Sequence, residues 1–346
     1  MSKSNFVSRK LKKKSSLCAA ALAATLSILT ISSATQASAT GWSPEISGGQ
    51  QVTGAAGFAQ AHDNSNNIAD VWNDTQGHIH VAFNNGTNQT WPTAVTHDAP
   101  AVVHTEWGWR AFHTGTDNHI YYAGFEVGSN NSLTLGSWQQ VPGNVTTTSS
   151  PTVTPLPGAN LEQWELAYTG LDNHVYAQYH QRTSQSTGQG TFATPQAVTQ
   201  AVSNYAPALA TDTAHGSLTV AWTGTNGSLY ASQQRIGTST WSSALTMSTP
   251  SRPILSQPTA AFTQDGQPWF GMNISDITFP DQSNPPVTYY AGPAQIDGAG
   301  TLIGHTHVAV EELAGLTSNP VLDPRNFDVY GIGGTENGSV VWKKFN

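Results

Sequence analysis

A strand–turn–strand unit recurs along this chain about every 50 residues, and a repeat of that length excludes most folds at once. The clearest copies begin at Ala99 (APAVVHTEWGWRAFHTGTDNHIYYAGF), Ser150 (SPTVTPLPGANLEQWELAYTGLDNHVYAQY) and Ala206 (APALATDTAHGSLTVAWTGTNGSLYASQQ). Each opens with a small residue and Pro, runs through an alternating apolar strand to an aromatic, turns at Gly/Asp/Asn, and ends a second strand at Tyr. The turn glycines Gly115, Gly170 and Gly224 lie 55 and 54 residues apart. Weaker copies surround Trp72, Trp269 and Tyr330, and the opening prolines Pro100, Pro151, Pro207, Pro258 and Pro320 are 51, 56, 51 and 62 residues apart. Six units of this size match the four-stranded blades of a β-propeller. Paired β-sandwiches are the alternative, because their turn signals are spaced similarly.

A fourth strand per unit is headed by Trp91, Trp138, Phe192 and Trp241, and the last unit ends before reaching one. Trp42-Ser43-Pro44-Glu45-Ile46 supplies that strand from the other end of the chain. Such closure removes two exposed sheet edges, a standing aggregation hazard. The expected fold is therefore an all-β, six-bladed propeller over residues 40–346, its last blade closed by the N-terminal strand of the mature chain.

Residues 1–39 read as a secretory signal peptide. Lys3, Arg9, Lys10, Lys12, Lys13 and Lys14 precede an apolar stretch from Leu17 to Ile31, and Ala37-Ser38-Ala39 offers a cleavage site. That apolar stretch is shorter than the ~20 residues of a membrane span. Cleavage leaves seven basic against 21 acidic residues, a formal charge of −14. So acidic a surface repels phosphate backbones and anionic lipids, so nucleic acid and direct membrane binding are excluded as functions. Cys18, the only cysteine, leaves with the leader. The mature chain then has no disulfide and no thiolate chemistry. Eleven tryptophans exclude a disordered chain, and a charged fraction of only 10% excludes a coiled coil.

The pattern of small-Pro-small, alternating strand, Gly-x-Asp-Asn-x-Ile/Val-Tyr and Trp-led strand resembles bacterial propeller lectins of the Photorhabdus-lectin type and, more loosely, the tectonins. The resemblance covers nearly the whole mature chain and is sharpest around Gly115, Gly170 and Gly224. It implies a ring that binds fucosylated or methylated sugars, largely in clefts between neighbouring blades. The chain has six units where the best-known members of that family have seven.

Candidate functional residues fall into sets. Trp72, Phe112, Tyr168, Trp222, Phe270 and Tyr330 end one strand per unit, where large rings fill the wedge between sheets. Trp42, Trp91, Trp138 and Trp241 head the outermost strands, where an indole either stacks on a sugar or anchors a blade edge. Asp117-Asn118-His119 and Asp172-Asn173-His174 are hairpin turns whose side chains also suit sugar hydroxyls. His78-x-His80 and His305-x-His307 each put two imidazoles on one strand face but lack a third metal ligand at a definite spacing. No calcium loop of the Asp-x-Asp-x-Asp-Gly kind is present.

An enzymatic alternative needs two carboxylates about 5–9.5 Å apart, for which Asp70, Asp74, Glu106, Glu162 and Glu165 are the candidates. The long turn from Ser275 to Pro286 marks a possible functional face. The expectation is a secreted carbohydrate-binding protein for neutral glycans that meets membranes only through them. Its ligand residues are Trp138, Trp241, Asp117, Asn118, His119, Asp172, Asn173 and His174, with no cofactor, metal or catalytic group. A glycosidase or polysaccharide lyase with an axial carboxylate site, and a protein-binding propeller, are the alternatives.

Overall fold

The computed structural model describes residues 57–343 except 66, 85–87, 159–160, 185–189, 249–253, 255, 263–267, 276–286, 298–299, 306–307, 314–320, 323–328 and 333–339. The leader, the closing strand Trp42–Ile46 and the long turn after Ser275 lie outside the described residues. Among those described there are strands and turns and no helix.

The strands form antiparallel sheets in chain order. The first contains β1 (Gly57–His62), β2 (Ile68–Asn73), β3 (His78–Phe83) and β4 (Gln89–Val95). In the second, β5 (Ala101–Thr105), β6 (Gly108–Thr114) and β7 (Ile120–Val127) are followed by β8 (Leu133–Leu135) and β9 (Gln139–Gln140), which both pair with β7. The third repeats this plan with β10 (Thr152–Pro155), β11 (Glu162–Thr169), β12 (His174–Arg182), β13 (Thr191–Phe192) and β14 (Gln196–Val202). The fourth has β15 (Ala208–Asp212), β16 (Ser217–Thr223), β17 (Leu229–Arg235) and β18 (Leu245–Ser248). The fifth has β19 (Thr259–Phe262), β20 (Pro268–Ser275), β21 (Val287–Ile296), β22 (Leu302–His305) and β23 (Val308–Leu313). Finally β24 (Val321–Leu322), β25 (Val329–Ile332) and β26 (Val340–Lys343) pair in order.

Each sheet's first strand touches the first strand of the next: β1 meets β5, β5 meets β10, β10 meets β15, β15 meets β19 and β19 meets β24. The series returns on itself, because β24 also touches β1. Approach at the start of this circuit is so close that a Cβ on Gly57 would lie 2.3 Å from the Ala99 Cα. Only glycine fits there.

Burial follows from that arrangement. β16 is buried at all seven positions, as expected for a strand covered on both faces, whereas the edge strand β14 buries only Val198 and Ala201. Hydrophobic clusters lie between sheets. Phe112 of the second sheet, for example, meets Trp164 of the third edge-to-face at 4.9 Å. Of the predicted wedge aromatics, Trp72, Phe112, Tyr168, Trp222 and Phe270 are all buried. The side chain of Tyr330 lies outside the described residues.

Hydroxyl pins join one sheet to the start of the next. Thr114 Oγ1 donates to the Ser149 carbonyl (2.8 Å), Thr169 Oγ1 to Tyr205 (2.6 Å) and Thr223 Oγ1 to Ser256 (2.8 Å). Each threonine immediately precedes a turn glycine, and each acceptor lies two residues before an opening proline. A hydrogen bond of this kind contributes about 1 kcal/mol, and replacing the donor leaves a carbonyl without its partner. The combined variant Thr114→Val, Thr169→Val, Thr223→Val should therefore lose about 3 kcal/mol, since the three sites are far enough apart to add. Urea unfolding is the check: a lowered midpoint at constant m is expected, and a loss below about 1 kcal/mol for all three together contradicts the role.

Candidate functional site

Two of the expected ligand sets are the hairpin turns, and there the backbone already uses the polar atoms. Gly115 N–H donates to the His119 carbonyl (2.8 Å), and Asn118 takes φ 64° while its N–H returns to the Gly115 carbonyl (2.9 Å). Asp117 accepts from the His119 N–H (3.1 Å) and from the Tyr121 hydroxyl (2.7 Å). The turn at Gly170 reproduces this with Asn173 at φ 64°, Asp172 accepting from the His174 N–H (3.1 Å) and the Tyr176 hydroxyl (2.7 Å). The Tyr176 hydroxyl, against a smaller effect of burial, holds the Asp172 carboxyl below its usual range. The two turns are tied together, since Thr146 bridges His119 and Thr147 bridges Gly170. A Cβ on Gly170 would stand 2.8 Å from the Asp172 Oδ1, so glycine makes room for this carboxylate. These carboxylates are positioned by the turn and for the turn.

The tryptophans heading the outer strands are also committed to packing. Trp91 is 1% exposed, and its indole N–H donates to the Gly136 carbonyl of the second sheet at 2.9 Å. Trp241 is 5% exposed within the cluster between the third and fourth sheets. The half-buried Trp138 lies 4.8 Å from Trp91 and 4.4 Å, edge-on, from His113. Of the two readings of Trp241, this burial favours the blade-edge anchor. An indole heading an edge strand is covered by the neighbouring sheet. Trp42 lies outside the described residues.

What the structure opens instead are clefts between sheets. The first, about 1050 Å³, lies between the second and third sheets. Arg110 of β6 crosses the gap and binds Glu162 of β11 through both carboxylate oxygens, Nε to Oε1 at 2.6 Å and Nη2 to Oε2 at 2.7 Å. Its Nη1 donates to the Trp109 carbonyl (2.8 Å). Arg182 of β12 stands on the other side of Glu162, 3.6 Å away, with its guanidinium 5.6 Å from the centre of the Trp107 ring. Glycine at 124 makes this possible, since a Cβ there would be 2.9 Å from Arg110 Nη1.

Glu162 is buried at 1% exposure, so the two guanidiniums supply the charge that its desolvation requires. Three of Arg110's five N–H donors are spent on these bonds, and two remain for a ligand. The partly exposed Trp107 adds an aromatic wall, Tyr122 and Gln139 are hydrogen-bonded to each other at 2.9 Å, and Glu106 and Glu126 stand exposed at the rim. Burial, and next the Glu162 charge, push the Tyr122 phenol up to about 12, so it remains a neutral hydroxyl. Aromatic wall, guanidinium donors and carboxylate acceptors together suit a neutral, hydroxyl-rich ring. Sequence reasoning passed over Trp107, Arg110 and Arg182. The available signal was scarcity: residues 40–346 hold five arginines, and two of them sit in adjacent repeats.

A second cleft of about 710 Å³ opens one sheet further on, between the third and fourth sheets. Glu165 of β11, Tyr179 of β12, Gln234 of β17 and the exposed run Gly237–Thr240 line it, with Trp241 at its base. Glu165 is 6% exposed, and burial alone raises its carboxyl to about 8.

The remaining candidates are dispersed. Asp74 accepts from both His78 (3.2 Å) and His80 (3.1 Å), and His80 also bonds Thr90 (2.9 Å), so this histidine pair is engaged within its own sheet. Among the described residues no group of three or more His, Cys, Asp or Glu is arranged to hold a metal ion. His307 lies outside them. The five carboxylates do not gather at one axial site: Asp70 and Asp74 are in the first sheet, Glu106 and Glu162 in the first cleft, and Glu165 in the second.

Residues 257–342 match the profile of a family described as the CLU5d N-terminal domain. No curated protein matches the chain in sequence. Solved structures do resemble it. AofleA from Arthrobotrys oligospora superposes with TM-score 0.59 at 12% identity, over 86% of this chain and 84% of that one. A variant of the Aleuria aurantia lectin, in complex with a fucosyl-α1,6-N-acetylglucosamine, gives 0.50 at 10% identity over 85% and 93%. SapL1 lectin, in complex with α-methyl fucoside, gives 0.50 at 17% over 86% and 94%. The likeness is one of fold. This chain is an all-β propeller of small antiparallel sheets, built as these lectins are.

Glu165 gives a pH test of this region. Its carboxyl is raised from the ordinary 4.5 to about 8, so the folded chain retains a proton that the unfolded chain has released. Its contribution is fully present below pH ~4.5 and declines as pH rises through 8, by up to about 1.4 kcal/mol per unit. Urea titrations at pH 5, 6.5 and 8 should show that decline, and Glu165→Gln should remove most of it. Equal slopes for the two proteins would place the carboxyl in contact with water.

Proposed function

We propose that this is a secreted carbohydrate-binding protein whose glycans sit in clefts between neighbouring blades, without chemical turnover. The observation that carries the reading is the Arg110–Glu162 clamp beneath the Trp107 wall, in an open cleft of about 1050 Å³. Guanidinium and carboxylate, each fixed by the other, hold hydrogen-bonding directions rigidly for hydroxyls, and rigidity lowers the entropic cost of binding. Glu162 is bound by Arg110 and faced by Arg182, which suits an acceptor better than a proton donor. The fold neighbours support the same reading, because two of them are described in complex with fucosides. The acidic mature chain favours neutral sugars over anionic ones.

In this proposal residues 1–39 are the export signal and 40–346 form one six-bladed propeller closed by Trp42–Ile46. The circuit of first strands from β1 through β24 back to β1 supports that blade count. Sugar contacts belong to Trp107, Arg110 and Glu162. The turns at Asp117-Asn118-His119 and Asp172-Asn173-His174, with Trp138 and Trp241, serve the framework that holds them.

A glycan array run beside a reducing-end release assay tests the reading. Binding to neutral, fucose-bearing glycans without release is expected, and release of reducing ends would move the protein among the glycosidases. Trp107→Ala should weaken binding at this cleft by at least tenfold, as loss of a central aromatic anchor does elsewhere. His174→Ala should leave affinity unchanged. The reverse pattern would return the site to the turns.

A further inference from the structure

The two clefts occupy equivalent places in successive repeats, yet one equivalent position in them carries opposite charge. Counted from the turn glycine, Arg110 is five residues before Gly115, and Glu165 is five residues before Gly170. Both occupy the second strand of their sheet and line the gap toward the next. In the first cleft the following sheet answers Arg110 with Glu162, eight residues before Gly170, and adds Arg182, twelve residues after it. The corresponding residues of the fourth sheet are Gly216 and Ile236. The position of the counter-ion is thus held by a residue with no side chain, and that of Arg182 by an aliphatic one.

Among the described residues the carboxyl of Glu165 has no hydrogen-bond or ion-pair partner, although the residue is more than nine-tenths buried. Its strand neighbours are Thr154 on β10 and Tyr179 on β12. Thr154 is bonded to Thr211 (2.9 Å), and the Tyr179 hydroxyl bonds Gln163 (2.7 Å) and Gln181 (3.0 Å). From the fourth sheet, Leu218, Gln234, Ile236 and the run Gly237–Trp241 face the cleft, all uncharged. Tyr179 is thus the one other titratable group among the described lining residues, and burial, first, raises its phenol. A second lining group, the Trp241 indole N–H, is enclosed without an acceptor among the described residues. Buried polar groups left without partners call for an explanation, and at the wall of an open cleft a ligand can supply it.

We propose that the cleft between the third and fourth sheets binds a sugar or polyol carrying a protonated primary amine, with Glu165 as the counter-ion that the repeat itself omits. The amide and hydroxyl lining of Gln181, Gln196, Gln234, Thr238 and Ser239 serves the hydroxylated body of such a ligand. The inference rests on the carbohydrate-binding reading for that body, and on the charge reversal for the amine. Binding requires the ionised carboxylate, so a proton leaves Glu165 for solvent as the ammonium enters. With the carboxyl near 8, affinity then rises with pH below that value. A neutral ligand accepting a bond from the protonated acid has the opposite dependence.

Calorimetry on the mature protein decides between them, using 1-amino-1-deoxyglucitol and its neutral counterpart glucitol at pH 6 and pH 8. An aliphatic amine like that of lysine stays protonated across this range. The amine should bind on the order of 50-fold more tightly at pH 8 than at pH 6, as the ionised fraction of Glu165 grows from about 1% to one half. Glucitol should bind weakly at both. Glu165→Gln should abolish the preference for the amine. Ile236→Arg, which supplies an internal cation at the position of Arg182, should abolish it too without altering Glu165. Equal affinity for the two probes at pH 8, an amine affinity that is flat or falls with pH, or an undiminished preference in both variants overturns the proposal. Neutral glycans bound on the array while the amine is not would defeat this inference alone. The amine bound while no neutral glycan is would defeat the first-cleft reading and leave this one standing.

Discussion

Everything in this structure depends on covering both faces of each sheet with its neighbours. A single four-stranded sheet of this size cannot bury its apolar residues, so stability comes from the wedges between sheets, where Phe112 meets Trp164 and Trp222 joins the cluster around Leu209 and Trp241. The first strands must then approach within glycine contact, as at Gly57 and Ala99, and each linker must deliver the next first strand to its place. The threonine pins at 114, 169 and 223 fix that delivery, which is why the hydroxyl, turn glycine and proline travel together through the repeat.

Repetition also creates equivalent clefts, and their chemistry can then diverge by single side chains. The framework at Gly115 and Gly170 is nearly superimposable in its hydrogen bonds, down to the Asn φ of 64° at both turns. Five residues upstream the same framework presents a guanidinium in one repeat and a carboxyl in the next. A charge inside such a cleft requires a partner, because desolvation is costly. Arg110 finds one in the adjoining sheet, and Glu165 finds none among the described residues. The conserved geometry of the turns and the varied charges of the clefts divide the repeat into a part that holds the fold and a part available to ligands.

The repeat period, strand order and wedge aromatics were legible in the sequence because they are local or periodic. Proline, strand, aromatic, turn glycine and tyrosine lie within one unit of the chain, and a small set of backbone conformations satisfies them. The turns were legible too, and their carboxylates carry a second structural bond, from Tyr121 and Tyr176, four residues away and visible in the sequence. Between the two readings of Trp241, sequence could not choose. Its cover comes from the neighbouring sheet, and sequence spacing carries no measure of how far two sheets open.

The sequence by itself determined an all-β chain of repeated antiparallel sheets, since alternation, turn chemistry and a period near 50 residues leave little else. Only the tertiary structure decided which side chains meet across the gaps. Arg110 and Glu162 are 52 residues apart and belong to different sheets. Glu165, three residues beyond Glu162, faces the opposite gap, where the described lining residues include no cation. Adjacent residues of a strand point to opposite faces, so a separation of three sends these two carboxylates to different neighbours. Whether each face meets an arginine or an isoleucine depends on how the next sheet is set against it, a long-range relation that local pattern does not encode.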